Sequence, residues 1–292
     1  MSRVIGAALA MTLLASPVLC GERVDLTKLA SATGVVEVGN VSGSITIVGW
    51  AREEVHVQGV LGRGTERLEF EAGPLRTVVR VVLPRNCRSC EGSDLTIKVP
   101  AASALEVNVV SADITVRDMT GTCALKSVNG DILVTGSTSQ VDARAISGEV
   151  EVRVARAPVR AKSVSGDVVI DGVEGSVEGS SVSGSIRVKG TAISRADLAA
   201  TSGSIRLEAS VLPGARIEAK SVSGDITLVL PRGTVADFEV TTFSGGIRND
   251  FGPAATRVSQ YTSERELTFS TGSGGARIVL KSFSGNVALQ KR

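Results

Sequence analysis

The chain is poor in the side chains from which most sites are built. Of its 292 residues one is Trp, one Tyr, six Phe and one His, and aromatics make up 3%. A carbohydrate-cleaving cleft needs a pair of carboxylates and usually aromatic sugar platforms, so such an enzyme has little to draw on here. A Ser–His–Asp arrangement would rest on His56 alone, inside the strand-like run Val55-His-Val-Gln-Gly-Val60. Excess charge of one sign is also lacking. Lys plus Arg number 32 and Asp plus Glu 30, which gives no electrostatic case for nucleic acid or for a charged membrane surface. After the first twenty residues no stretch approaches the ~20 apolar residues of a spanning helix. No Gly-rich loop follows a strand and opens a helix, as a phosphate site would require.

What the chain has instead is glycine, 32 residues of it, and a phrase that returns on a fixed beat. Val128-Asn-Gly-Asp-Ile132, Ile146-Ser-Gly-Glu-Val150, Val164-Ser-Gly-Asp-Val168 and Val182-Ser-Gly-Ser-Ile186 share a central residue at 130, 148, 166 and 184. Val110-Ser-Ala-Asp-Ile114 precedes them by the same step of 18, with Ala112 at the centre. Slacker copies follow around Gly203, Gly224, Gly245 and Gly285, and an isolated one, Val41-Ser-Gly-Ser-Ile45, stands near the start. A constant period of this size marks a repeat whose units bury their apolar faces by stacking.

Counting from the central residue, positions two and four after it are mostly Val, Ile or Leu, and position seven before it is mostly Val or Ile, with Phe238 and Cys123 in the same column. Spacing by two is one face of a strand, which β-branched residues favour. Each unit therefore reads as a strand, a tight Ser-Gly-Asp corner, a second strand and a looser corner. Eighteen residues are too few for a strand–helix–strand crossover. The expectation is an all-β chain forming one elongated β-solenoid, right-handed, with about 18 residues per coil and glycine at corners for its freedom of φ. Residues 21–100 read as an N-terminal β-sheet cap continuous with the solenoid, because the phrase is missing between Gly49 and Val109. Residues 101–292 read as the repeats, with an irregular excursion at 249–275 that covers the far end. The longer units after Gly184 should bulge at the loose corner.

Residues 1–20 have the form of a secretory signal: Arg3, an apolar run from Val4 to Ala15, and a cleavage position before Gly21. Lipidation of Cys20 is the less favoured alternative, since Pro17-Val18-Leu19 is a poor lipoprotein box. An exported protein of the periplasm or cell surface, with no membrane span after signal removal, is expected. Export permits disulfides, and Cys87 and Cys90 form a Cys-x-x-Cys in a polar loop, read first as a local disulfide. Zinc at that pair would have to recruit Cys123 and His56, and a redox role lacks a βαβ context. Cys123 falls in an inward column and reads as an inert buried thiol.

Two ladders at the tight corner need a reading. Asp113, Asp131, Glu149, Asp167 and Asp225 follow the central residue by one, which suits either corner hydrogen bonding or, less well, Ca²⁺. Val110, Val128, Ile146, Val164, Val182, Val222, Phe243 and Phe283 precede it by two, and either point inward or form an exposed apolar stripe. The inward reading is preferred. No catalytic residue, cofactor or metal is expected. Irregular sequence is concentrated in residues 85–94 and 249–275, and Phe251, Arg257 and Tyr261 in the second are the candidate partner contacts.

The order Ile45-Thr-Ile-Val-Gly-Trp50, Val55-His-Val57, Ile97-Lys-Val-Pro100, the Ser-Gly-Asp array and a terminal Gly274-Gly-Ala-Arg-Ile278…Phe283-Ser-Gly285 resembles a bacterial β-strand-repeat family of exported proteins named as adhesins, whose function is not established. Ala112 departs from its glycine. The resemblance implies an envelope β-solenoid, some members being linked to envelope-stress responses, and it brings no catalytic residues. The reading is a non-catalytic envelope scaffold or adhesin-like binding module, its partner an unidentified envelope protein or glycan. The alternative is a polysaccharide-modifying β-helix enzyme.

Overall fold

The computed structural model describes residues 21–87, 89–154, 156–259 and 261–292. The expected signal segment, Cys20 included, lies outside them. The chain is all-β: its strands are hydrogen-bonded into one large sheet, and no helix occurs among the described residues.

The repeat explains the strands. Gln140–Ala145 alternates outward and inward, with Val141, Ala143 and Ala145 buried. After the corner Val150–Val154 does the same with Val150, Val152 and Val154. Neighbouring units pair in parallel at matching positions: Val150 lies between Ile132 and Val168, and Val141 between Cys123 and Val159. The inward residues of the two strand columns meet in one continuous core. Later units bulge at the loose corner, with register shifts between Gly190 and Arg195.

Glycine sits at the tight corner for a different reason from the one expected. Gly130, Gly148, Gly166 and Gly184 do not have positive φ, unlike Gly43 (φ 105°). Each lies directly on the one before it. A Cβ on Gly166 would overlap the carbonyl oxygen of Gly148, and one on Gly184 that of Gly166. Close backbone approach leaves no room for a side chain at these four, whereas Ala112, beside Gly43, carries a buried methyl at the same position.

From Gly130 onward, three residues before the glycine a buried hydroxyl ties adjacent units, except at Gly148 and Gly203, where Ala145 and Ala200 take its place. Ser163 Oγ accepts from Gly166 N–H at 2.9 Å and donates to the Gly148 carbonyl at 2.9 Å. Ser181 repeats the arrangement on Gly184 and Gly166, and Thr242 donates to Gly285. These groups would be costly to bury unpaired.

The residues two before the glycine point out, correcting the inward reading. Val41, Val110, Val128, Ile146, Val164, Val182, Val222, Phe283 and Phe243 are 36–57% exposed. In the repeats each directly follows an inward residue, as Val164 follows Ser163 and Ile146 follows Ala145, so strand alternation carries through to it and turns it to solvent.

Stack order departs from chain order at both ends. Val35–Trp50 is flanked on one side by Arg76–Val82 and Ser93–Pro100 and on the other by Ala104–Arg117. The first unit is therefore second in the stack, and residues 76–100 are outside it. At the other end Ala276–Ser282 and Val287–Lys291 slot between the unit of Ile205–Ser221 and Ile226–Leu230 and that of Ala236–Thr242 and Ile247–Asn249. The last unit in sequence is thus not the last in space. Beyond both ends the direction reverses. Arg67–Ala72 pairs antiparallel with Arg76–Val82, and Glu54–Leu61 with Ser93–Pro100. Arg265–Ser270 lies antiparallel on Ala236–Thr242.

Candidate functional site

The corner carboxylates are bound into the fold. Asp113 Oδ1 accepts the N–H of Asp131 at 3.0 Å, Asp131 Oδ1 that of Glu149 at 2.8 Å, and Asp167 Oδ1 that of Ser185 at 2.8 Å. Asp225 Oδ1 accepts from Asn286 N–H at 2.7 Å. Each acid thus ties its unit to the next. Asp113, Asp131, Glu149 and Glu151 line a shallow open groove. Among the described residues no three His, Cys, Asp or Glu side chains are grouped to hold a metal ion.

The outer face before the tight corner is a field of ion pairs. Glu178 meets Lys162 Nζ at 2.6 Å and Arg160 Nε at 2.7 Å, and Asp197 meets Arg195 at 2.6 Å. Glu239 meets Lys281 at 3.0 Å. The hydrogen bond from Lys162 is the main cause that holds the Glu178 carboxyl below the usual carboxylate range, and those from Lys220 and Lys281 do the same to Glu218 and Glu239.

Cys87 and Cys90 have their Cα atoms 5.8 Å apart and their sulfurs at bonding distance. They lie against Gly64, whose carbonyl is 3.3 Å from Cys90 Sγ. Cys123 is elsewhere, buried in the core, and burial pushes its thiol up to about 12, where it is inert as a nucleophile. His56 contacts Asp25 at 2.8 Å and stacks on Trp50, so neither residue completes a metal site with the Cys pair.

The three candidate contact residues of the excursion behave differently. Tyr261 is 87% exposed and Arg257 is exposed. Phe251 packs its ring against Phe238, centroids 5.6 Å apart, with Lys291 Nζ 5.0 Å above it. No hydrogen bond or aromatic contact joins the three among the described residues.

The surface feature that sequence reasoning placed on the wrong side is the exposed file from Val41 to Phe243. It runs along the tight corner through ten stacked units, broken once by Thr201, and at ~4.8 Å per unit it is about 43 Å long. Two files of charge flank it. Lys126, Arg144, Lys162 and Lys220 stand on one side, and Asp131, Glu149, Asp167 and Asp225 on the other.

The family model of Toastrack DUF4097 matches the chain twice, over residues 88–181 and 177–290. No curated protein matches. Among solved structures, a candidate adhesin from Parabacteroides merdae is similar, with 10% identity, 93% of this chain and 97% of that chain covered, and a TM-score of 0.49. One from Bacteroides fragilis has 12% identity, 92% and 97% coverage, and a TM-score of 0.44. A candidate lipid-binding protein from Parabacteroides distasonis has 14% identity, 93% and 98% coverage, and a TM-score of 0.45.

Proposed function

The chain belongs to the Toastrack DUF4097 family, and on that premise we propose that it is a non-catalytic, exported protein of the cell envelope that presents rigid β-sheet faces to a partner. The family's β-solenoid-like fold sets the frame. We take it to be a right-handed solenoid of about 18 residues per coil, residues 21–100 forming its N-terminal cap and 249–275 its excursion.

The observation that carries the non-catalytic reading is the state of the carboxylates. Those with displaced protonation, Glu37, Glu91, Glu178, Glu218 and Glu239, are all displaced downward by neighbouring cations. Those at the corners Asp113, Asp131, Asp167 and Asp225 accept backbone N–H groups. A polysaccharide-cleaving enzyme needs one carboxyl held protonated near neutral pH opposite an ionised one, across a sugar-sized gap. The arrangement here supports scaffolding. We place the protein in the periplasm or at the cell surface, with a Cys87–Cys90 disulfide and with Arg257 and Tyr261 as contacts for an envelope protein or glycan.

The test has two arms. Crosslinking in intact envelopes should recover a reproducible partner whose yield falls with Arg257→Ala and Tyr261→Ala. Incubation with a panel of cell-wall and capsule glycans should yield no cleavage. Turnover abolished by replacing one defined carboxylate pair would overturn the reading.

A further inference from the structure

We propose that the exposed apolar file along the tight corner is the interface of a parallel, in-register homodimer, with its two-fold axis running along the stack. The inference does not depend on export or on adhesion.

The file is long and periodic, and among the described residues nothing covers it. Its side chains are aliphatic except at the far end, where Phe283 and Phe243 stack with centroids 4.9 Å apart. Nine apolar side chains in one line, interrupted once at Thr201, form an exposed patch of the kind that marks an association surface. A glycan would find few donors or aromatic platforms along it. A lipid surface would meet the acidic file on one flank. A second copy is the one partner certain to share the ~4.8 Å spacing over the whole length.

Charge then selects the geometry. The units around Gly130, Gly148, Gly166 and Gly224 each carry a cation on one flank and an acid on the other. The units around Gly184 and Gly203 carry neither, having Ser180 with Ser185 and Ala199 with Ser204. Presence and absence go together in eight of the ten units; the unit of Ala112 has Asp113 with Asn108, and that of Gly285 has Lys281 with Asn286. Rotating a second copy by 180° about the stack axis sets file against file and keeps each unit opposite itself. It also brings the cationic flank of one copy against the acidic flank of the other, so Arg144 faces Glu149 of the second copy. Rotation about an axis across the stack would reverse the order and bring cation against cation. Complementary charge fixes register and suppresses the wrong pairing. Arg144, Lys162 and Lys220 pair with acids on their own face yet remain 41–58% exposed, which leaves them accessible to a second partner.

Sedimentation velocity on the full chain should show a species of twice 30.1 kDa. Ile146→Glu combined with Val164→Glu should weaken self-association by about tenfold or more while leaving the melting curve intact, because both positions face solvent in the monomer. Arg144→Glu alone should weaken it and Arg144→Glu with Glu149→Arg should restore it, a rescue that a purely structural effect would not produce. Val128→Cys should crosslink to its own copy under mild oxidation; in the reversed arrangement it would face the unit of Val222. A monomer at every concentration, a dimer unaffected by the glutamates, or a Val128→Cys chain that crosslinks only to Val222→Cys would overturn the proposal. So would binding of the monomer to anionic vesicles that is lost with Ile146→Glu, which would assign the file to a lipid surface.

Discussion

Phe283 lies flat on Phe243, ring centroids 4.9 Å apart and 7° from parallel, although the unit that carries Phe283 is made later and sits nearer the middle of the stack. The pair reports the out-of-order insertion directly. The unit of residues 276–291 enters between two units already laid down, and its corner continues both the glycine column and the exposed file.

The glycine column predicts a sharp contrast between two alanine substitutions. Gly166→Ala forces a methyl into the Gly148 carbonyl, so the units must separate, and a loss of about 2–4 kcal/mol is expected. Gly233→Ala meets no atom within 4 Å and should change stability by less than about 0.5 kcal/mol. Urea unfolding of both variants checks this, and equal midpoints would refute the close-approach account.

Ser163→Ala removes one hydroxyl that satisfies two backbone groups on adjacent units. A cost of about 1–3 kcal/mol follows from leaving them unpaired. Ser165→Ala, two residues on and exposed, is the control. Amide exchange at Gly166 should accelerate only in the first variant.

Acid should loosen the N-terminal end. Hydrogen bonds from Arg76, then Arg80, hold the Glu37 carboxyl below its ordinary range against an opposing effect of burial. A folded value below the unfolded one of ~4.3 means the contribution is present above about pH 4.3 and is lost as pH falls through the lowered value. Stability measured down that range should fall less steeply in Glu37→Gln than in the parent chain.

Replacing residues 251–272 by a short Gly-Ser linker deletes Arg265–Ser270 and bares the outer edge of Ala236–Thr242. An unpaired edge is a template for aggregation. It also removes Phe269, stacked 4.6 Å from the buried Phe238. Light scattering should rise and the melting temperature fall. A soluble, cooperatively melting product would show that the segment is not a cap, and loss of the crosslinked partner from that product would assign it to binding.

Cys87 and Cys90 should resist alkylation until reduced, read as a mass shift on the intact protein. Because their bond closes a very short loop, reduction should leave the melting temperature nearly unchanged.

Much of the stack was legible because its signal is local. Period-two alternation around Val150 and Val168 needs only the two residues on either side, and the step of 18 aligns them. The ridge at Ile146 was misplaced because alternation is not continued on the far side of a corner. Ile146 follows the inward Ala145, but whether the chain bends before or after it is decided by the glycine contact between units, which only stacking reveals. The slot taken by residues 276–291 was hidden for a related reason. Its inward residues Ile278, Leu280, Val287 and Leu289 fit any gap in a ladder of identical layers, so pattern alone does not say which. Of the candidate contacts, Tyr261 is exposed, whereas Phe251 packs on Phe238, where rings close the end of the core.

The locked ends bear on how such a chain changes length over evolutionary time. A copy of one unit inserted between Gly130 and Gly184 meets identical neighbours above and below and adds one layer without disturbing anything else. The same copy appended at either end would meet a strand running the opposite way. Lengthening and shortening must therefore occur from within, and relatives of different size should keep both termini recognisable while varying in the number of near-identical units between them.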